Sequence, residues 1–226
     1  MEKHSISPEK VTTVHLAADP IFHPENRQRI DSTKVLTKYG LKQDEFLLFP
    51  GNTWPHKNHR TLFLALRTLR EDYGLEPLLV CTGAPKDAQA DLQDQIQHLG
   101  LGNQIRFLGY CPKPDMPALY ESAAALVFPS VFEGFGLPLV EAMWCECPIA
   151  CSNLTSLPEI ADDAALFFDP YSPEEMALSI SRLLTDSQLR KELIARGSSR
   201  ASTFSWRKFT TDMIRILRQV WEERGF

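Results

Sequence analysis

Pro129-Ser130-Val131-Phe132-Glu133-Gly134-Phe135-Gly136-Leu137-Pro138-Leu139-Val140-Glu141-Ala142-Met143 decides the reading of this chain. An apolar strand over 125–129 stops, two glycines allow a tight turn, and a helix follows over 138–144. Pro138 falls at the expected first helical position, where its missing N–H costs nothing. The backbone amides around Gly134, Phe135, Gly136 and Leu137 then point out of a helix N-terminus, a natural seat for phosphate. Glu133 stands before the turn and Glu141 lies one turn inside the helix. Carboxylates accept hydrogen bonds and sugar hydroxyls donate them. The pattern therefore suits a molecule with a diphosphate in its middle and hydroxylated rings at both ends. An ordinary strand-to-helix turn with a surface glutamate on each side fits the same residues, and both readings stay open on the loop alone.

Outward from this segment the signals alternate. Towards the N-terminus, apolar strands are expected over 46–49, 77–81 and 105–107, each ended by a turn residue. Between them lie helices over 58–73 and 87–99, the first with Leu62, Leu66 and Leu69 at helical spacing. Asp31 caps a short helix through Tyr39 that Gly40 ends. A helix over 116–122 precedes the deciding strand. Further strands over 148–151 and 165–168 are followed by helices over 174–184, 187–200 and 205–223. A strand-like apolar run also occupies 11–16. Uniformly apolar strands alternating with helices indicate an α/β fold, a Rossmann-like doubly wound parallel sheet with C-terminal helices. Such sheets bind ligands at the carboxyl ends of their strands, where the loops bearing Gly51, Lys57, Gly83, Gly109 and residues 133–137 would gather.

Composition narrows the function classes. The 226 residues carry a net charge of −5, so a dedicated nucleic-acid binder, which needs a basic surface, is disfavoured. Eleven glycines and 16 prolines are too few for a collagen or a low-complexity tract. No run reaches the ~20 apolar residues of a membrane span, and residues 1–5 lack the apolar core of a signal peptide. Five cysteines in apolar segments fit reduced thiols in a cytoplasmic protein. Cys145, Cys147 and Cys151 lack a fourth ligand and a nearby histidine, so no metal site is expected.

The spacing Glu-x7-Glu around Gly-Phe-Gly-Leu-Pro resembles the donor-binding motif of the retaining glycosyltransferases of family 4, group 1. Their GT-B fold comprises two Rossmann-like domains. The likeness extends over roughly residues 11–221. Gly51-Asn52-Thr53-Trp54-Pro55-His56-Lys57-Asn58 is similar to the family's glycine-to-lysine loop, and Leu79-Val80-Cys81-Thr82-Gly83 to its second strand and turn. Ile105-Arg106-Phe107-Leu108-Gly109-Tyr110 and Met116-Pro117-Ala118-Leu119-Tyr120 resemble the approach to the base pocket. The stretches Ser152-Asn153-Leu154-Thr155-Ser156-Leu157-Pro158-Glu159 and Phe204-Ser205-Trp206 continue in the family's order.

The resemblance implies roles for single positions. Glu133 would face hydroxyls of the transferred sugar, and Lys57 would reach the diphosphate and stabilise the departing nucleoside diphosphate. These are the two catalytic candidates. Gly51, Asn52, Gly83, Gly109, Tyr110, Gly134, Phe135, Gly136 and Leu137 would line the donor site, and Glu141 would accept hydrogen bonds from the ribose. No cofactor or metal is expected. The partners implied are a UDP- or GDP-linked sugar and an N-terminal acceptor-binding domain or subunit. Any membrane contact, at the inner face, would come through that missing domain. Residues 1–30 would be a lead-in from the interdomain region, 31–203 the nucleotide-sugar domain, and 204–226 a helix packing toward the missing half. Length thus suggests half of a two-domain transferase, inactive alone.

Two departures stand out. Asn52 replaces an arginine common after the loop glycine, which would weaken phosphate affinity. Glu146-Cys147-Pro148 stands where Gly-Thr-Pro is frequent. Among other candidates, His56 and His59 are expected to be loop and surface residues, and Glu159 to support the pocket mouth. Asp162-Asp163 and Glu174-Glu175 are expected as solvated helix-start charges. The apolar stripe Trp206, Phe209, Met213, Leu217, Val220 and Trp221 is expected to pack on the core in its first half. A non-catalytic module pairing with an acceptor subunit remains an alternative, as does a sugar-nucleotide epimerase on the same fold. A dehydrogenase is disfavoured because no Gly-x-Gly-x-x-Gly follows the first strand.

Overall fold

Phe46, Leu47, Leu48 and Phe49 are all buried, which only a strand covered on both faces allows. The computed structural model describes residue 7 and residues 10–223. Its elements run α1 (Pro24–Arg27), α2 (Ser32–Tyr39), β1 (Phe46–Pro50), α3 (His59–Tyr73), β2 (Leu78–Thr82), α4 (Gln89–Leu99), β3 (Ile105–Gly109), α5 (Met116–Ser122), β4 (Ala125–Phe128), α6 (Leu137–Trp144), β5 (Ile149–Ser152), α7 (Leu157–Ala161), β6 (Ala165–Phe168), α8 (Pro173–Thr185), α9 (Ser187–Ala201) and α10 (Trp206–Glu223). Six parallel strands pair in the order β3-β2-β1-β4-β5-β6. This is a Rossmann-like sheet, and its order reverses between β1 and β4, where a crevice opens at the strand ends.

Local chemistry sets the element ends. Asp31 accepts a hydrogen bond from the Lys34 amide at 3.2 Å, and Gly40 ends α2 with φ +60°. Ser172 and Asp186 cap α8 and α9 in the same way. Glu174 and Glu175 lie in the first turn of α8, as the sequence predicts.

Several expectations are corrected. Residues 11–16 form no strand, and the sheet's edges are β3 and β6. His15 instead meets the rings of Phe135 and Phe204, at centroid distances of 6.0 and 5.6 Å. Asp162 and Asp163 start no helix, since Asp162 follows the end of α7 with φ +51°. Glu146 also takes a left-handed conformation, φ +54°, so this turn imposes the backbone geometry that glycine adopts without strain.

His59 is not a surface residue. It is 2 % exposed, with its ring 4.4 Å from that of Phe49 and stacked at 6.3 Å on Phe107. Burial, then the nearby Lys57 charge, lowers its pKa to about 4, so it is neutral at pH 7. Because that value lies below the unfolded one near 6.5, its contribution to stability is present above pH 6.5 and is lost as pH falls towards 4.

The stripe on α10 is not core either. Phe209, Met213 and Ile216 are half-buried, whereas Trp206, Ile214, Leu217, Val220 and Trp221 are exposed. Among the described residues no helix is long and apolar enough to cross a membrane. The five cysteines are free and buried, and no group of three His, Cys, Asp or Glu among the described residues could hold a metal.

Candidate functional site

The loops after β1 and β4 meet at the reversal point. The Val131 amide donates to the His56 carbonyl at 2.9 Å, and Asn58 Nδ2 donates to the Pro129 carbonyl at 3.1 Å. Between them, Lys57 Nζ donates to Glu133 Oε1 at 2.6 Å. Both side chains are largely covered, 16 % and 14 % exposed, and the ammonium also lies 5.1 Å from the Phe128 ring centroid. A short 3-10 turn, Pro55–Lys57, ends at Asn58 with φ +60° and so aims the lysine across the crevice. The fold thus brings together the two candidates placed 76 residues apart in sequence.

The turn into α6 is built from its glycines. Gly136 caps the helix with φ +97°, and a Cβ there would meet Leu157 Cδ2 at 2.7 Å. Ser156 Oγ donates to the carbonyls of Glu133 and Phe135 at 3.2 and 3.0 Å, fixing the turn from behind. Among the described residues the amides of Gly134, Phe135, Gly136 and Leu137 have no hydrogen-bond acceptor; Gly136 and Leu137 are the N-cap and first residue of α6, and Gly134 and Phe135 belong to the turn before it. Leu137 opens the helix, with Pro138 second, one place later than expected. The Phe135 side chain turns away from the loop towards Phe204, 5.8 Å between centroids, so only its backbone serves the seat.

Gly51, Asn52, Gly83 and Gly109 meet where β1, β2 and β3 end. The Gly51 amide donates to the Thr82 carbonyl and the Gly83 amide to the Gly109 carbonyl, at 2.9 and 2.7 Å. Asn52 Oδ1 accepts from the Ala84 amide at 2.7 Å. Its carbonyl end therefore clasps two loops together, which leaves only the amide nitrogen to face an anion.

Glu141 lies in a separate part of the crevice, in a cavity of about 560 Å³ that also reaches Asp19, Tyr110, Lys113 and Met116. Tyr120 is fully buried beneath it and donates its hydroxyl to Glu141 Oε2 at 2.7 Å. Burial pushes the Glu141 carboxyl up, and the Tyr120 bond opposes that rise by stabilising the charged form. Sequence reasoning gives Asp19 and Lys113 no role, and it notes Tyr120 only within the segment that resembles the approach to the base pocket. Glu159 is bound instead to His15 Nε2, at 2.7 Å, and joins the lead-in segment to α7.

The sequence profile described as Glycosyl transferases group 1 matches residues 31–200. The chain belongs to the group 1 glycosyltransferases. It is 37 % identical over 207 residues to O-antigen chain mannosyltransferase B of Escherichia coli, covering 91 % of this chain and 54 % of that protein. It thus spans about half of that relative's length. The fold matches the Anabaena protein HepE, solved with UDP and glucose, at a TM-score of 0.81 and 21 % identity. That match covers 95 % of this chain and 59 % of HepE. A C-terminal domain of a group 1 glycosyl transferase from Francisella tularensis, solved by itself, matches at a TM-score of 0.67 and 22 % identity, with coverage of 83 % and 97 %.

One consequence of the Tyr120–Glu141 bond can be measured directly. If Glu141 accepts ribose hydroxyls, as the resemblance implies, nucleotide binding is expected above its pKa and should fade as pH falls through it. Tyr120→Phe removes a bond to the charged form and raises that pKa further. Titrations across pH 4–8 are expected to show the midpoint of this loss moving to higher pH in the variant. An unchanged midpoint contradicts the assignment. On the same assignment, Glu141→Ala is expected to weaken nucleotide binding by about 1–2 kcal/mol at neutral pH.

Proposed function

We propose that this chain is the donor-binding half of a retaining glycosyltransferase that takes a hexose from a nucleoside-diphosphate sugar. The observation that carries this is the Lys57–Glu133 pair at the sheet's reversal point, next to the turn whose amides at 134–137 have no acceptor among the described residues. Lys57 and the amides of residues 134–137 meet the charge that grows on the departing diphosphate. A fixed cation aimed at developing charge acts mainly on the transition state. Glu133 accepts hydroxyls of the sugar, and Glu141 accepts those of the ribose.

In this reading the bond between the anomeric carbon and the diphosphate oxygen breaks, and the acceptor oxygen bonds to that carbon on the same face. The acceptor's proton passes to a phosphate oxygen of the leaving group. No protein nucleophile and no metal ion are needed. Mannose is the first sugar to try, because the Escherichia coli relative is named a mannosyltransferase. The acceptor is held by a second unit, for which the exposed Ile214, Leu217 and Trp221 of α10 offer an apolar landing face. The protein then works in the cytoplasm, where nucleotide sugars are available.

Calorimetry tests this on the isolated chain. UDP or GDP binds measurably, while sugar transfer stays slight without the acceptor unit. Absence of binding by UDP, GDP and ADP alike would sink the proposal. Glu133→Ala is expected to weaken the sugar-bearing donor more than the bare nucleotide. Equal losses for the two would remove Glu133 from the sugar subsite.

A further inference from the structure

The cavity beside Glu141 contains a second charged pair that the reaction above does not use. Asp19 Oδ2 accepts from Lys113 Nζ at 2.9 Å, across 94 residues of sequence. Asp19 Oδ1 accepts from the Ile21 amide at 3.0 Å and so caps the short turn Pro20–Phe22. The backbone on either side is anchored: Ala17, Ala18 and Phe22 are buried, and Trp206 Nε1 donates to the Ala18 carbonyl at 3.0 Å. Lys113, and then the Ile21 amide, hold the Asp19 carboxyl below the usual range, so it is ionised at neutral pH. Tyr110, 78 % exposed, and Met116 line the same cavity and offer flat or apolar surface to a ring.

A carboxylate has about four acceptor sites and an ammonium three donors. Each member of the pair therefore keeps capacity for a ligand. A ring that satisfies both must present adjacent donors to Asp19 and an acceptor to Lys113. Guanine does so, with N1–H and the N2 amino group beside O6. Uracil offers a single N–H between two oxygens, and both of these would face the carboxylate. Adenine places its unprotonated N1 beside the amino group, which repels a carboxylate acceptor.

We infer, on the reading that this cavity holds the donor's nucleoside, that Asp19 and Lys113 select guanine and that the donor is a GDP-linked sugar. Two charge-assisted bonds to one base edge, in a partly open cavity, correspond to a preference of roughly tenfold or more.

Calorimetric titration of the chain with GDP, UDP, ADP and inosine diphosphate tests this. GDP is expected to bind at least about tenfold more tightly than UDP or ADP. Inosine diphosphate, which lacks only the N2 amino group, should fall below GDP by several-fold. Asp19→Asn keeps an oxygen for the Ile21 amide but loses the paired acceptor, so the gap between GDP and UDP should close. Lys113→Met, at an exposed side chain, should narrow it without touching the fold. Equal binding of GDP and UDP, a preference for UDP, or selectivity that survives Asp19→Asn overturns the guanine assignment and leaves the nucleotide site standing. Failure of all four nucleotides to bind overturns the site itself, and the assignment with it.

Discussion

Replacing Lys57 by methionine is expected to weaken nucleoside-diphosphate binding by about 10- to 100-fold, with little change for the bare nucleoside. A hydrogen bond to a charged group contributes about 1.5–3 kcal/mol. The Lys57 side chain is only 16 % exposed, so its field is less screened than that of a surface lysine. Loss of the ammonium also leaves Glu133 facing the phosphates without its partner 2.6 Å away. That unpaired carboxylate repels the ligand and adds to the deficit. The double variant Lys57→Met/Glu133→Gln separates the two effects, since neutralising Glu133 should recover part of the loss. Calorimetry with the diphosphate and with the nucleoside gives the comparison. If both ligands weaken equally, Lys57 does not face the diphosphate.

The four inner strands of this protein were legible because each is a run of apolar residues buried on both faces. Phe46 to Phe49 and Ala125 to Phe128 leave no other choice. Capping residues such as Asp31 and Gly40 were equally plain, since their chemistry acts within four residues. Pairings across the sheet are another matter. Leu47 lies beside Ala125 because β4 inserts next to β1, and no local pattern states that order. His59 shows the same limit from inside the core. At the start of a helix, next to polar neighbours, it reads as a surface residue. Its burial comes from Phe49 and Phe107, which belong to two different strands.

The candidate site divides along the same line. Glu133, Glu141 and the turn glycines could be found because a short motif carries them together. Tyr120, Asp19 and Lys113 act through partners 21 or 94 residues away. Residues 11–16 mislead for the opposite reason. Their β-branched, apolar character suits a strand, but His15 meets Glu159 of α7 and the Phe135 and Phe204 rings instead of extending the sheet.

Gly83→Ala is expected to cost about 3 kcal/mol of stability, whereas Gly134→Ala in the deciding motif should cost almost none. At Gly83 the backbone has φ +113°, which for an L residue costs roughly 1–2 kcal/mol. An added Cβ would also lie 2.7 Å from the Gly51 carbonyl carbon and the Asn52 nitrogen, and 2.8 Å from the Gly51 oxygen. These are backbone atoms, so no rotamer change relieves the contact, and overpacking of this kind costs about 1–3 kcal/mol. For a chain of this size, 3 kcal/mol corresponds to a fall in Tm of roughly 6–12 °C. Gly134 has open space around its missing Cβ and no positive φ, so its variant should stay within about 0.5 kcal/mol of the parent. The contrast locates the glycine requirement in the close approach of β2's turn to the Gly51–Asn52 backbone. Because that backbone leads into Lys57, relief of the clash must also displace the phosphate-facing loop. Thermal melts and diphosphate titrations should therefore change together in Gly83→Ala, whereas the melt of Gly134→Ala should stay at that of the parent. A Gly83→Ala protein melting within 2 °C of the parent would contradict the close approach.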